Sequence, residues 1–331
     1  MTFVVRRRQD RERQEHELLS PQATKADQSK GRADPEEPDA YRTDFERDRD
    51  RVIHSKAFRR LKHKTQVFLN PEGDHFVTRL THTLQVMQVG RAMAVSLSLN
   101  ETLTEAICLA HDVGHSPFGH VGEETLSPFV DGEWLHSAHG VRTLTVVEPL
   151  NLTWETLDGV RAHSWRIDPP PATPEGALCR FADRIAYLTH DVADAIRAGV
   201  LRYDDIPLSA RNRFGATSRE WIDAMITSVV ETSARQGSVE MDPVDLEVMN
   251  ELRAFMFERV YLSRQTEAEK QRAIKVIRDL VEHFASHRNE IPRSVTTVDA
   301  EPLVAAIDYV AGMTDRYAIR THDRLFRPTL F

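Results

Sequence analysis

Residues 110–124 read Ala-His-Asp-Val-Gly-His-Ser-Pro-Phe-Gly-His-Val-Gly-Glu-Glu. The adjacent His111 and Asp112 offer an imidazole nitrogen and a carboxylate oxygen. That pair suits a borderline divalent ion such as Mn²⁺, Fe²⁺, Co²⁺ or Zn²⁺, or a harder ion whose shell water completes. His120 and Glu123 lie three residues apart, so one helical turn brings them together. A carboxylate on one ring nitrogen fixes the tautomer and leaves the other nitrogen to handle a proton. Nine of the 15 histidines fall between residues 54 and 139. Such clustering signals metal or acid–base chemistry more often than packing.

A second constellation lies in residues 181–191, Phe-Ala-Asp-Arg-Ile-Ala-Tyr-Leu-Thr-His-Asp. Asp183, Tyr187 and Asp191 share one helical face at i, i+4, i+8. Roughly 12 Å of helix rise separates the two aspartates, too far for both to chelate one ion. One of them can bind a metal while the other reads a substrate. With His82 on a further helix, three elements can each aim a donor at one centre: His82, the His111–Asp112 pair, and Asp183. Two imidazoles and two carboxylates would leave positions open for water and substrate oxygens, as a catalytic site requires.

These donors need helices to hold them, and the apolar spacing supplies helices. Phe45, Val52, Ile53, Ala57, Phe58 and Leu61 predict a helix within 44–69, with a basic run from Arg51 to Lys64. Asn70–Asp74 is a turn. A long helix is expected over 78–99. Thr102 and Glu105 form a capping-box pattern before the apolar Ala106–Ala110. Gly114 and Pro117 then stop that helix. Residues 116–140 read as a loop with short helical turns, and 141–150 as a helix or short strand. The proline-rich 168–174 reads as a stiff loop. Helices follow at 178–198, ending at Gly199, and at 218–234, 243–262, 266–287 and 300–319. No alternating strand pattern occurs, so the class is all-α, a helical bundle.

Composition narrows the function. The 331 residues are 40% hydrophobic and 28% charged, with a net charge of −8. An acidic balance argues against a protein dedicated to duplex nucleic acid. It still permits a basic pocket for a small polyphosphate. Cys108 and Cys179 sit in apolar stretches and read as core thiols of a reducing cytoplasm. The basic start, Met1 to Arg8, leads into charged residues rather than an apolar segment, so no secretory leader is expected. The apolar runs are too short to span a bilayer. Residues 1–40, rich in Arg, Glu, Asp, Gln and Pro, read as a flexible arm.

Taken together, Arg79–His82, the 111–123 stretch and Asp183 resemble the H…HD…D pattern of the HD-domain superfamily. More narrowly, they look like its deoxynucleoside triphosphate triphosphohydrolases, the dGTPase-like branch. Asp48–His54, Phe58–Leu61, Lys64–Phe68, Ala182–Tyr187 and Ala311–Tyr317 agree, so the likeness covers nearly the whole chain. The resemblance implies an HD-domain bundle with an HD core over about 78–200, additional C-terminal helices within a single domain over 41–331, and an N-terminal arm that is partly ordered. It implies metal ligands at His82, His111, Asp112 and Asp183, with Mn²⁺ or Mg²⁺ first in line and Co²⁺, Fe²⁺, Ni²⁺ or Zn²⁺ as other occupants. His120 matches the family's catalytic histidine, Glu123 its orienting carboxylate, and His115 a histidine near the substrate phosphates. Arg79 and Arg184 are implied phosphate contacts. Gln66 and Asp191 are implied readers of the sugar 3′-hydroxyl, and Tyr187 would pack under the deoxyribose. His136 occupies a further family histidine position, but Ser137 and His139 depart from the usual pattern around it. The implied reaction is hydrolysis of a dNTP at the α-phosphorus to deoxynucleoside and triphosphate. Family members form oligomers, often hexamers, and some respond to a nucleotide, so a homo-oligomer with a dNTP or single-stranded DNA effector is expected. Two alternatives remain: an HD-type nuclease or phosphodiesterase, and a nucleotide sensor that binds single-stranded nucleic acid through the basic run at 51–64.

Overall fold

Asn100 rather than Thr102 starts the helix that delivers His111. Its side chain accepts the Leu103 N–H at 3.1 Å, and Glu105 instead pairs with Arg49 at 2.8 Å. The choice follows from geometry, since an Asn side chain at the N-cap satisfies a donor that the helix itself cannot. The computed structural model describes residues 3–66, 77–261, 267–292 and 300–328. In chain order its α-helices are α1 (Arg8–Leu18), α2 (Asp44–His54), α3 (Lys56–Arg60), α4 (Arg79–Ser96) and α5 (Glu101–Ala110). Next come α6 (His120–Leu126), α7 (His136–Arg142), α8 (Trp154–Ala162), α9 (Pro174–Arg197) and α10 (Leu208–Phe214). The remainder are α11 (Ser218–Gln236), α12 (Pro243–Met256), α13 (Glu267–Ser286), α14 (Pro302–Ala311) and α15 (Asp315–Phe326). Among the described residues there is no β-strand, only two isolated bridges, so the class is all-α. No helix of the described residues is long and apolar enough to cross a membrane.

The helix expected over 44–69 is broken at Ser55. Its hydroxyl accepts the Phe58 N–H at 3.0 Å and caps a new helix. The helix expected over 300–319 is likewise two, because the chain turns at Gly312 and Thr314 caps α15. Pro174, assigned to a loop, is the first residue of α9. Its fixed φ and missing N–H suit that position, and Thr173 caps it. Residues 141–150 complete α7 and a wide π turn (Thr143–Val147). The turn expected at Asn70–Asp74 lies outside the described residues.

The chain divides into two compact units. The first comprises Met1–His54, His82–His111 and Leu150–Leu262; the second comprises Ser55–Thr81, Asp112–Pro149 and Ser263–Phe331. In the first, α5 is buried on nearly every side and packs against α2, α8 and α9. The fit is tight: a methyl on Gly159 would lie 2.5 Å from Ile107 Cδ1, and one on Gly90 2.9 Å from Cys108 Sγ. Truncating Ile107 to Ala in such packing would cost about 2–5 kcal/mol. Both cysteines are buried thiols. Part of the polar N-terminal arm enters this unit through charge. Arg32 pairs with Asp48, which is fully buried and also accepts from Thr153 N–H at 2.8 Å and Thr156 Oγ1 at 2.8 Å. Fully buried Glu175 accepts from Thr24 Oγ1 at 2.7 Å and from Asn100 N–H at 3.0 Å.

In the second unit α13 packs against α6, α14 and α15. Its core joins Phe118, Leu126 and Trp134 to Ile277, Phe284 and Tyr309, with the Phe284 and Tyr309 rings edge to face at 4.9 Å. On α7, Arg142 grips Asp308 through two bonds of 2.7 Å.

Candidate active site

In the first unit, α4 brings His82, the end of α5 brings His111, and the middle of α9 brings Asp183. His82 Nε2 lies 3.1 Å and His111 Nε2 3.8 Å from Asp183 Oδ1. Both histidines are buried, and Asp183 is half-buried. His111 Nδ1 donates to the Cys108 carbonyl at 2.6 Å. That bond fixes the tautomer and directs the Nε2 lone pair toward Asp183, as a ligand requires. One donor atom from each of the three residues lies within 4.8 Å of the others. Two imidazole nitrogens and a carboxylate oxygen at that spacing suit a borderline divalent ion. His163, which the sequence did not single out, sets its ring edge to face with His111 at 5.1 Å.

Further along α9, Arg184 is buried and its guanidinium lies 4.1 Å over the Trp165 ring. It also donates to Asn250 Oδ1 at 3.0 Å. Tyr187 is raised to about 12, chiefly by burial. Asp191 is buried, and burial pushes its carboxyl up to about 7 even though Tyr261 donates to it at 2.7 Å. Trp165, Asn250 and Tyr261 are thus supporting residues that sequence spacing did not reveal.

The second unit collects a different chemistry. Arg79 donates to Asp112 Oδ2 at 2.8 Å, and His115 Nε2 lies 3.2 Å from Asp112 Oδ1. The His115 and His136 rings stack at 3.9 Å. Glu123, on α6, holds two histidines: His120 Nδ1 at 3.3 Å from Oε2, and His136 Nδ1 at 3.0 Å from Oε1. His120 is the exposed member of the group. Burial, then the charges of Arg79 and His136, hold His115 well below the ordinary histidine range. Burial alone would raise Glu123, but the bonds from His120 and His136 keep it below the ordinary carboxylate range. Burial opposes the charge on His136, and Glu123 outweighs it and raises that imidazole. The surroundings thus favour the neutral imidazole at His115, the ionised carboxylate at Glu123 and the protonated imidazole at His136. His139 is turned elsewhere, donating from Nδ1 to the Gly114 carbonyl at 2.9 Å. Gln66 is half-buried beside this loop, and its Oε1 has no hydrogen-bond partner among the described residues. Asp112, His115 and His136 also have donor atoms within 4.8 Å of one another. The Arg79 guanidinium on Asp112 favours an anion there over a second cation.

The chain is 45% identical over 323 residues to the deoxyguanosinetriphosphate triphosphohydrolase-like protein of Caldanaerobacter subterraneus subsp. tengcongensis, covering 95% of this chain and 94% of that protein. The protein of that name from Desulfatibacillum aliphaticivorans is 41% identical, covering 96% and 97%. The one from Clostridium perfringens strain 13 is 41% identical, covering 92% of each.

The chain belongs to the deoxyguanosinetriphosphate triphosphohydrolase-like family.

The family model for the HD domain matches residues 79–188, a span holding His82, His111, Asp112 and Asp183. The phosphohydrolase-associated domain matches residues 239–324. As a dGTPase-like HD protein the chain is an HD-type phosphohydrolase, and the HD domain implies a divalent metal. The donor set of His82, His111 and Asp183 fits one.

Proposed function

We propose that the protein is a metal-dependent dNTP triphosphohydrolase that cleaves at the α-phosphorus to release deoxynucleoside and intact triphosphate. The observation that carries this reading is Glu123, whose one carboxylate holds both the exposed His120 and the stacked His136 beside a neutral His115. Such a group can take a proton from water at His120 Nε2 while Glu123 steadies the imidazolium. His82, His111 and Asp183 would hold Mn²⁺ or Mg²⁺, with Co²⁺, Fe²⁺, Ni²⁺ or Zn²⁺ as other occupants; the carboxylate of Asp112, expected as a fourth ligand, is engaged by Arg79 and His115. A metal bound there would supply Lewis-acid polarisation of a phosphoryl oxygen. Arg79 and Arg184 bind phosphate oxygens through fixed guanidinium planes. His115, its Nε2–H turned to Asp112, stands beside the phosphates. Gln66 and Asp191 read the 3′-hydroxyl. Tyr187 packs under the deoxyribose and leaves no room for a 2′-hydroxyl, which favours deoxynucleotides. On family resemblance the protein works as a cytoplasmic homo-oligomer, with a dNTP or single-stranded DNA as candidate effector.

A second reading, an HD nuclease or phosphodiesterase, draws on the Asp112–His115–His136 donor group as a second ion site. The Arg79 ion pair on Asp112 counts against it. Product analysis separates the two. Each dNTP, singly and mixed, is incubated with Mn²⁺, Mg²⁺, Co²⁺ or EDTA and the products are resolved by anion exchange. Triphosphate plus deoxynucleoside, lost with EDTA, is expected. Nucleoside monophosphates, or no triphosphate under any condition, would overturn the proposal.

A further inference from the structure

The stretch Ala311–Tyr317 carries no ligand or proton-handling role in the proposed reaction, yet its aspartate is buried and fully engaged. Asp315 opens α15 and is 4% exposed. Its Oδ1 accepts the Phe118 N–H at 3.0 Å, and its Oδ2 accepts the Thr65 N–H at 2.9 Å together with the Thr65 hydroxyl. One carboxylate therefore holds two segments: the residue before Gln66 and the loop between His115 and His120. Lys64, buried at 3%, reinforces the same pair of segments, donating to the His115 carbonyl and, at 3.0 Å, to the Ala311 carbonyl.

The loop needs this support. Phe118 has φ +63° and Gly119 has φ +59° immediately before His120. A left-handed backbone is free for glycine but strained for a bulky residue such as phenylalanine, at a cost of order 1–3 kcal/mol. Such a conformation persists only where its surroundings over-determine it. Here the Phe118 ring is fixed in the core of the second unit, and its N–H is fixed by Asp315.

We propose that Asp315, assisted by Lys64, is a positioning residue of the reaction, acting through the strained 116–119 loop to fix where His115 and His120 stand. The inference rests on the reading given under Proposed function. Neither residue is given a substrate or metal contact in the proposed reaction. Removing the carboxylate lets Phe118 relax toward ordinary φ, and His120, one residue beyond Gly119, swings with it. Displacement of a proton-handling group by about 1 Å costs on the order of 10²-fold in rate.

The test compares wild-type protein with Asp315→Ala, Asp315→Asn and Lys64→Met, using triphosphate release from dNTPs with Mn²⁺. Mn²⁺ affinity is measured by calorimetry, and amide hydrogen exchange is followed over residues 115–120. For Asp315→Ala, kcat is expected to fall about 10²-fold while KM and Mn²⁺ affinity change less than about threefold. Exchange over 115–120 should rise while the rest of the chain stays protected. Asp315→Asn keeps an acceptor for Phe118 and should recover most of the rate. Lys64→Met should fall about tenfold. If Asp315→Ala does not fold, Lys64→Met decides, and unchanged kcat and exchange in it would overturn the inference. An Asp315→Ala enzyme with wild-type kcat would overturn it alone. A wild-type protein that releases no triphosphate would remove the reaction itself and, with it, this inference.

Discussion

Gly114→Ala adds one methyl group, and the structure says where it would go. The new Cβ would collide with the His136 carbonyl and the Gly140 N–H and would lie 2.5 Å from Gly140 Cα. All three are backbone atoms of α7, so no side chain can turn aside. Ordinary contact needs about 3.4 Å or more, so α7 must retreat by roughly 1 Å. Overpacking of this kind costs about 1–3 kcal/mol, and the rigid neighbours place this site at the upper end. With about 2.1 cal/mol/K of unfolding entropy per residue, 3 kcal/mol lowers Tm by about 4 °C if the chain melts as one, and by roughly 10 °C if the second unit melts alone. The same retreat pulls His136 from the 3.9 Å stack on His115 and from its 3.0 Å bond to Glu123. Triphosphate release should therefore fall about 10²-fold as well. Calorimetric melting and a single-turnover assay on the same preparation measure both. A Tm within 1 °C of wild type together with a rate within about twofold would refute the reasoning, since no arrangement of α7 as described could accommodate the methyl for free.

Other perturbations reach different parts of the molecule. Glu123→Gln keeps the shape but cannot accept from both His120 and His136. Triphosphate release should fall by about 10²–10³ while Mn²⁺ binding is retained, and an unchanged kcat would remove Glu123 from the acid–base role. Lys64 is lowered to about 7, first by burial and then by the Arg60 charge. Its folded value lies below its unfolded value near 10.4, so its contribution is fully present above that pH and is lost as pH falls through about 7. Relative to Lys64→Met, wild-type stability should rise between pH 7 and pH 10 by at most about 5 kcal/mol, read from urea midpoints. Parallel curves for the two proteins would sink the claim. Trp165→Ala leaves Arg184 without its 4.1 Å stack. KM for a dNTP should rise about 5- to 30-fold with kcat nearly constant, and an unchanged KM would mean that Arg184 needs no platform.

The donors of the first unit were legible because helix periodicity is local. His82, His111 and Asp183 each lie on or at the end of a helix whose apolar stripe is plain in the sequence, and Asp183, Tyr187 and Asp191 share a face by spacing alone. Their supports were not legible. Tyr261 reaches Asp191 across 70 residues and Asn250 reaches Arg184 across 66, distances at which no periodic rule applies. Helix α8 did leave a signal. Thr153 is a good cap, and Trp154, Leu157 and Val160 recur every third residue, a pattern weaker than the long helices around it. Helix α1 left none, because its sequence, RQDRERQEHEL, has no apolar stripe to read. The breaks at Ser55 and Gly312 were hidden because apolar spacing continues across both, while a cap bond at one and a turn at the other decide the structure.

The ion pair between Arg32 and Asp48 changes what counts as dispensable in this chain. A polar N-terminal stretch is the part a protein engineer removes first, and by composition the first 40 residues invite it. Deleting them would strip Asp48, largely enclosed by the rest of its unit, of Arg32, the one arginine paired with it among the described residues, and Glu175 would lose Thr24 at the same time. An uncompensated buried charge costs about 3–5 kcal/mol, a large part of the whole stability of an ordinary domain. Deletion mapping that starts past residue 32 should therefore yield insoluble protein, where trimming the first seven residues should not. The minimal folding unit of this enzyme begins well upstream of its first recognisable motif.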